Sequence, residues 1–310
     1  MDKVGVIVFG AGKSALRHGK AIKKSDKLTL SGFFDPALDK ARALAAQLEC
    51  TAFESEDAAI AAEGRRFALI STPPNVHREL ALRLLERGVD VLVEKPFSTS
   101  PDDCDEVQRA ADRLGRLVAS VAQHRYSDGY RALRDDLERQ EIGDIKFVTV
   151  EVQRERKANV FQKIPWRRDR AIAGGGVLLS IGFHYVDLAC GALGPATEVE
   201  TCGLAMDEGV EGLITVRCRL GGAPAIIDCR WGDVPDSKDT LTITGTRGTR
   251  TLRGGALLER GIPPTDGSEL HLRQLEELAA RVLDRGAPGV PPAAVKPALE
   301  LVRSAYAALS

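Results

Sequence analysis

The sequence predicts an α/β protein: a doubly wound parallel sheet, then a second unit built on an antiparallel sheet. Three observations predict it. Up to about residue 125, short apolar runs alternate with helical segments and no hairpin signal separates them. The first apolar run ends in a turn spaced G-x-G-x-x-A. In the second half, β-like runs follow one another with only Gly, Pro and Asp turns between them.

Val4 to Phe9 reads as a buried parallel strand, and Leu16 to Lys24 as the helix after it. Between them, Gly10 permits the tight turn, Gly12 leaves no side chain where a pyrophosphate approaches the backbone, and Ala15 lets the helix pack on the strand. Ala11, Lys13 and Ser14 complete this loop, and the helix N-terminus offers N–H groups to phosphates. Leu28 to Phe34 is the second strand, and it ends in Asp35, about 20 residues after the turn, where a carboxylate bonds ribose hydroxyls. Asp35 therefore favours NAD over NADP, although Arg42 further along softens the preference. A helix over 37–48 begins after Pro36, 52–53 is a short strand and 56–63 is helical. Phe67 to Ser71 is a buried strand broken by Thr72-Pro73-Pro74-Asn75. His77 to Arg87 is a helix closed by Gly88, and Val89 to Val93 is the next strand. Pro101 to Leu114 is helical, and Leu117 to Val121 is a strand. Ligands of such sheets sit outside the carboxyl ends of the strands, which selects the loops Gly10–Ala15, Ser71–His77 and Glu94–Ser98.

Beyond this, Tyr130 to Glu141 is helical and Asp144 to Gln153 alternates like a strand. Asn159 to Ile172 is irregular and rich in Arg and Lys, and Gly174-Gly175-Gly176 precedes a helix over 177–193. Strand-like runs cover 198–204, 212–220, 223–231 and 240–244, and two amphipathic helices, 270–284 and 295–309, close the chain. Residues 1–125 thus form one domain and 126–310 the other, with the last helix able to return to the first.

Hydrophobic residues make up 44% and charged residues 28%, which suits a soluble globular protein, and 310 residues fit about two domains. A net charge of −1 gives no reason to expect nucleic acid. No apolar run reads as long enough to span a bilayer, and Met1 leads directly into a strand without a targeting segment, so a cytoplasmic location is expected. The cysteines at 50, 104, 190, 202, 218 and 229 form no C-x-x-C pair, and no ligand spacing supports a metal.

Two residues stand out for chemistry. Lys95, in Glu94-Lys95-Pro96, follows a strand directly, where a lysine can hold a substrate oxygen and act as acid or base once desolvated. Pro96 keeps it extended and admits a cis bond. His184 is a natural proton carrier, and helical spacing puts Ser180 and Asp187 on its face, so that Asp187 can orient it.

The segments GAGKSALRH, FFDP, STPPNVH, VEKPFS and GGGVLLSIGFHYVD, in this order, resemble the Gfo/Idh/MocA oxidoreductases over nearly the whole chain. The resemblance implies a Rossmann domain plus an α/β domain with a large, mostly antiparallel sheet that joins subunits into homodimers or homotetramers. It implies that Lys95 and His184 flank the reacting carbon beside the nicotinamide, with His184 the proton acceptor. His18, Ser71, Thr72, Pro73, Asn75, His77 and Glu94 would line the cofactor cleft, and Gln123, His124 and Arg125 lead into the second domain, with Arg125 on the substrate. Many relatives carry aspartate four residues before the histidine, where this chain has Ser180, a hydroxyl that cannot serve as an ionised partner at neutral pH. Ser180 to Asp187 is closer to the nucleotide-sugar branch. Trp166-Arg167-Arg168-Asp169-Arg170 resembles a basic segment of UDP-sugar 3-dehydrogenases, where arginines clamp a diphosphate.

The leading expectation is an NAD-dependent 3-dehydrogenase of a nucleotide sugar, of the UDP-N-acetylglucosamine or UDP-uronate type. Two others stay open: a free sugar or cyclitol dehydrogenase, and an inactive NAD-binding sensor of sugars.

Overall fold

A computed structural model describes residues 3–62, 65–155, 162, 164–232 and 238–307. Two compact units emerge: Met1–Ser98 with Asp102–Gln123 and Asp266–Ala293, and Thr99–Pro101 with His124–Thr265 and Ala294–Ser310.

The first unit opens with β1 (Val4–Phe9), α1 (Lys13–Lys23), β2 (Leu28–Phe34), α2 (Leu38–Leu48), β3 (Thr51–Ala52) and α3 (Glu56–Ala61). β4 (Arg65–Ile70), α4 (His77–Glu86), β5 (Asp90–Val93), α5 (Asp102–Leu114) and β6 (Val118–Ser120) follow. All strand pairs are parallel, in the order β3-β2-β1-β4-β5-β6. Every residue of β1 is buried, as expected for a strand covered on both faces. The strand order reverses between β1 and β4, so their carboxyl ends flank the crevice where such folds take a ligand.

The second unit contains α6 (Asp128–Glu138), β7 (Ile145–Glu155), α7 (Arg170–Ala173), a π-helical turn (Leu178–Gly182) and α8 (Phe183–Leu193). Its remaining strands are β8 (Thr197–Asp207), β9 (Val210–Leu220), β10 (Ala223–Gly232), β11 (Lys238–Gly245), β12 (Thr249–Arg253) and β13 (Ala256–Leu257). The sheet order is β13-β12-β11-β7-β10-β9-β8, antiparallel throughout except for the parallel pair β10/β7. One sheet face is a dry layer of Val148, Val150, Ile214, Val216, Ile227 and Ile243, and α8 packs on its strands. Alternation along each strand leaves the other face half-exposed.

Two helices end the chain, α9 (Gly267–Asp284) and α10 (Pro292–Ala307). The penultimate helix, not the last, belongs to the first unit: Leu275, Leu278, Ala279 and Val282 of α9 join its core. α10 stays with the second unit. The strands β12 and β13 are absent from the sequence-based expectation, because Thr249-Arg-Thr-Leu-Arg253 buries only Leu252 and shows little apolar alternation. The expectation that no apolar run could span a bilayer also needs correcting. The stretch Arg170–Leu193 is long enough and contains an 18-residue window of mean hydropathy 1.5. Its apolar window is 67% buried inside the protein, so that character is accounted for by the core. Of the segment 159–172, Asn159, Val160, Phe161 and Lys163 lie outside the described residues.

Candidate active site

The glycine loop is built as its spacing requires. Gly10 adopts φ +104°, and a Cβ there would lie 2.3 Å from the Ser71 carbonyl oxygen, so only glycine allows β1 and the end of β4 to approach this closely. Nothing lies within 4 Å of a Cβ on Gly12, which is the N-cap of α1 and has no side-chain cap. The first turn of α1 thus keeps its N–H groups for an anion. Gly12 and Lys13 are exposed, Ala11 and Ser14 half-buried, and Ala15 is fully buried against the strand. Asp35 accepts the Ala11 N–H at 2.9 Å through Oδ2 and the Ala37 N–H at 2.9 Å through Oδ1. Its carboxylate therefore fixes the loop and keeps further lone pairs for ribose hydroxyls.

At the end of β4, the buried Ser71 Oγ and Thr72 Oγ1 find no hydrogen-bond partner among the described residues. Pro73 leads into a tight turn over Pro74–Val76 that exposes Asn75. His77 is 1% exposed, with Nε2 2.9 Å from the Thr72 carbonyl and Nδ1 3.0 Å from that of Pro96. It ties the two loops together, and burial lowers its pKa. The open approach at Gly12 and the orphaned hydroxyls at Ser71 and Thr72 fit a dinucleotide.

Lys95 is half-buried after β5, and its peptide bond to Pro96 is cis. Beneath it lies a cluster that sequence reasoning missed. Glu94 Oε2 accepts the Lys95 N–H at 2.8 Å, and Oε1 pairs with His18 Nε2 at 2.8 Å. The His18 ring meets that of His271, from α9, edge to face at 4.5 Å. His18 was expected in the cofactor cleft, but it is 1% exposed and supports Glu94 instead. Burial alone would raise the Glu94 pKa; the His18 bond and the His18 and Lys95 charges outweigh it and hold the group at about 2. A folded pKa below the ordinary 4.5 adds stability above that value, lost as pH falls toward 2. Glu94→Gln should therefore forfeit about 3 kcal/mol of pH-dependent stability at neutral pH. Urea unfolding should show the gap to wild type closing between pH 4.5 and 2; a constant gap would contradict this account.

In the second unit, the three glycines set where the His184 helix starts. Gly174 ends α7 in the left-handed region at φ +80°. A Cβ on Gly175 would strike the Tyr306 hydroxyl at 2.2 Å, and one on Gly176 the Glu211 backbone at 2.2 Å. The buried Glu211 carboxylate accepts the N–H groups of Gly176, 2.8 Å, and Leu178, 3.2 Å, and the hydroxyl of Tyr306. It caps the helical segment at its positive end. Glu211 had no sequence signal, since its acceptor role exists only once β9 lies beside this helix.

The π turn at Leu178–Gly182 contains Ser180 and widens the helix just before His184. Ser180 and His184 are both half-buried. Asp187, which helical spacing offers as the group to orient His184, has Arg125 as its partner. It is 4% exposed and held by Arg125, whose Nε and Nη2 donate to its carboxylate at 2.8 and 2.6 Å. Arg125 Nη2 also donates to the Ala294 carbonyl at 2.8 Å, so this arginine braces α8 against the start of α10. The ring against His184 is that of His124, with centroids 4.7 Å apart.

The basic segment lies partly along a groove of about 830 Å³ bordered by Trp166, Arg168, Arg170 and Glu208. Arg167 stacks on Trp166 with its guanidinium 5.6 Å from the ring, outside that lining, and Arg168 faces Glu208 at 3.7 Å. Lys95 belongs to the first unit and His184 to the second.

Residues 4–122 match the family described as the oxidoreductase family with an NAD-binding Rossmann fold, and residues 130–251 match the GFO/IDH/MocA C-terminal domain. Among curated proteins, D-glucoside 3-dehydrogenase of Escherichia coli K12 is 28% identical over 194 residues, covering 61% of this chain and 54% of that one. Inositol 2-dehydrogenase of Renibacterium salmoninarum is 32% identical over 142 residues, covering 45% and 43%. The chain spans about half the length, or less, of the curated relatives it matches. Among solved structures, the WlbA dehydrogenase of Bordetella pertussis, crystallised with NADH and UDP-GlcNAcA, superposes with a TM-score of 0.86 at 22% identity, covering 98% of this chain and 95% of that one. That likeness shows the fold.

Proposed function

The chain belongs to the Gfo/Idh/MocA oxidoreductase family, and from that premise we propose that it is an NAD-dependent dehydrogenase of a secondary hydroxyl on a nucleotide sugar. The observation that carries the reading is the pairing of two features in one chain: an open dinucleotide loop at Gly12, and a half-buried histidine, His184, at the start of a capped core helix. The residues that would hold the cofactor are Gly10 to Ser14, Asp35, Ser71 and Thr72 in the first unit. Bound NAD supplies the hydride acceptor. His184 takes the hydroxyl proton, and Lys95 steadies the oxygen as charge develops on it. Asp35 supports NAD over NADP, because its carboxylate repels a 2′-phosphate.

The groove beside Trp166 and Arg168 supports a nucleotide diphosphate: it offers an indole for stacking and guanidinium groups for phosphate oxygens. The WlbA complex with UDP-GlcNAcA supports the same class. A free sugar or cyclitol is the second reading, favoured by the names of the curated relatives and by Glu208, which offsets the charge of Arg168. We further propose a homo-oligomer through the open face of the second sheet, where Phe147 and Ile226 are 38% and 36% exposed. The metabolic dehydrogenase names of the relatives support a soluble cytoplasmic enzyme.

The test is NAD reduction, followed by absorbance, against UDP-N-acetylglucosamine, UDP-N-acetylglucuronate, glucose and myo-inositol, each with and without 2-oxoglutarate as a route to recycle NADH. Turnover confined to the UDP-sugars is expected. Turnover with the free polyols alone would overturn the nucleotide-sugar assignment, and NAD binding without any turnover would leave a sensor.

A further inference from the structure

We propose that His124 is a positioning residue that sets the orientation and proton affinity of His184 through direct ring contact; the proposal rests on His184 being the proton acceptor argued above.

The contact is held by the fold. The two rings meet edge to face, with centroids 4.7 Å apart and planes at 66°. His124 sits on the short 3₁₀ turn Gln123–Tyr126, and its carbonyl accepts both the hydroxyl of Ser127, at 2.9 Å, and the backbone N–H of that residue, at 3.2 Å. Ser127 in turn caps α6, so the turn is continuous with a stable helix. The neighbouring residue, Arg125, is clamped on Asp187, less than one helical turn beyond His184. Two consecutive residues, 124 and 125, thus engage two positions of α8, 184 and 187. The ion pair pins the turn, and the pinned turn presses one imidazole on the other.

The other groups considered around α8 have partners of their own or stay uncharged. Asp187 already carries two bonds from Arg125, and the pair is close to neutral as a unit. Ser180 offers a hydroxyl that does not ionise at neutral pH. The nearby phenols stay uncharged: burial pushes Tyr130 and Tyr185 up to about 12. Burial pushes Cys190 up as well. On the strands packed against α8, Arg154 is paired with Asp239 and Lys238 with Glu151, while Glu211 accepts the bonds described above. On α6, Asp136 is bound by Arg250 and Arg260. Histidine is the side chain whose ordinary charge change falls between about pH 5 and 8, and here two of them are in ring contact.

Two imidazolium ions in contact repel one another, so the pair titrates as a unit. A proton on His124 keeps a second off His184 and extends its life as a base toward lower pH. With the packing kept and the charge removed, His184 protonates at a higher pH.

The variants are His124→Phe, which keeps a ring, and His124→Gln, which is uncharged and serves as well should Phe not be accommodated. Each is assayed for kcat and kcat/KM from pH 5 to 9 on the substrate the panel identifies, with NAD affinity measured alongside. The acid limb is expected to move up by about half to one pH unit in both variants, with NAD affinity within about twofold of wild type. An acid limb that stays in place in both variants overturns the proposal, whatever the rate. His184→Asn, run in parallel, keeps the two ideas apart: turnover that survives it removes the dehydrogenase mechanism, and an unmoved limb with His184 essential removes only His124.

Discussion

His184→Asn is expected to lower kcat by about three orders of magnitude while NAD still binds. A positioned general base contributes roughly 10² to 10⁴ in rate, and asparagine keeps a planar polar group, smaller than the ring, while losing its proton affinity. The fold should tolerate the change. His184 is half-buried, and its helix is anchored elsewhere, by Glu211 at the cap, by Tyr306 and by the Arg125–Asp187 pair. NAD affinity is the control, because every residue we assign to the cofactor lies in the other unit. A variant that keeps a tenth or more of wild-type turnover would remove His184 from the mechanism. Loss of turnover together with a lower melting temperature would instead point to damage to the helix.

The second large effect separates two glycines in one loop. Gly12→Ala should fold with an unchanged melting temperature, because nothing lies within 4 Å of the new methyl and the backbone there, φ −89°, suits alanine. The methyl then stands where a pyrophosphate must reach the first turn of α1, so NAD affinity should fall at least tenfold. Gly10→Ala behaves differently. Its φ of +104° strains any L side chain, and its methyl overlaps the Ser71 carbonyl. That change should destabilise the first unit by about 3 kcal/mol, from backbone strain plus overpacking. Isothermal titration with NAD and thermal unfolding of both variants read the contrast directly. Equal affinity in Gly12→Ala and wild type would mean that the loop does not take the phosphates.

Spacing alone points to a tight turn at Gly10, which the φ of +104° and the nearby Ser71 carbonyl bear out, and to a close phosphate approach at Gly12, which stays our proposal. The strand Val4–Phe9 is legible for a related reason: a strand covered on both faces is apolar throughout, whereas Leu28–Phe34 carries an exposed Thr29 and Asp90–Val93 begins with a buried carboxylate. The environment of His184 is not legible in this way. Helical spacing places Asp187 near it in any helix, but whether that carboxylate faces the histidine depends on who else reaches it. Arg125 lies 62 residues earlier and takes both of its oxygens.

The sequence by itself determined the fold class, the dinucleotide loop, the strand that ends in Asp35 and the family of the chain. All of these rest on local patterns: hydrophobic period, glycine spacing and the order of short motifs. Tertiary structure alone decided which polar groups meet. It brought His271 of the penultimate helix onto His18 beside Glu94, Glu211 onto the cap of the His184 helix, and His124 onto His184. It also gave α9 to the first unit and α10 to the second, although both helices show the same kind of amphipathic pattern. The physical reason is common to these cases. Apolar burial is non-directional, so a pattern states that a face is covered and not by what. A buried carboxylate or imidazole needs a specific partner at hydrogen-bonding distance, and that partner is chosen by chain topology across gaps of dozens to hundreds of residues.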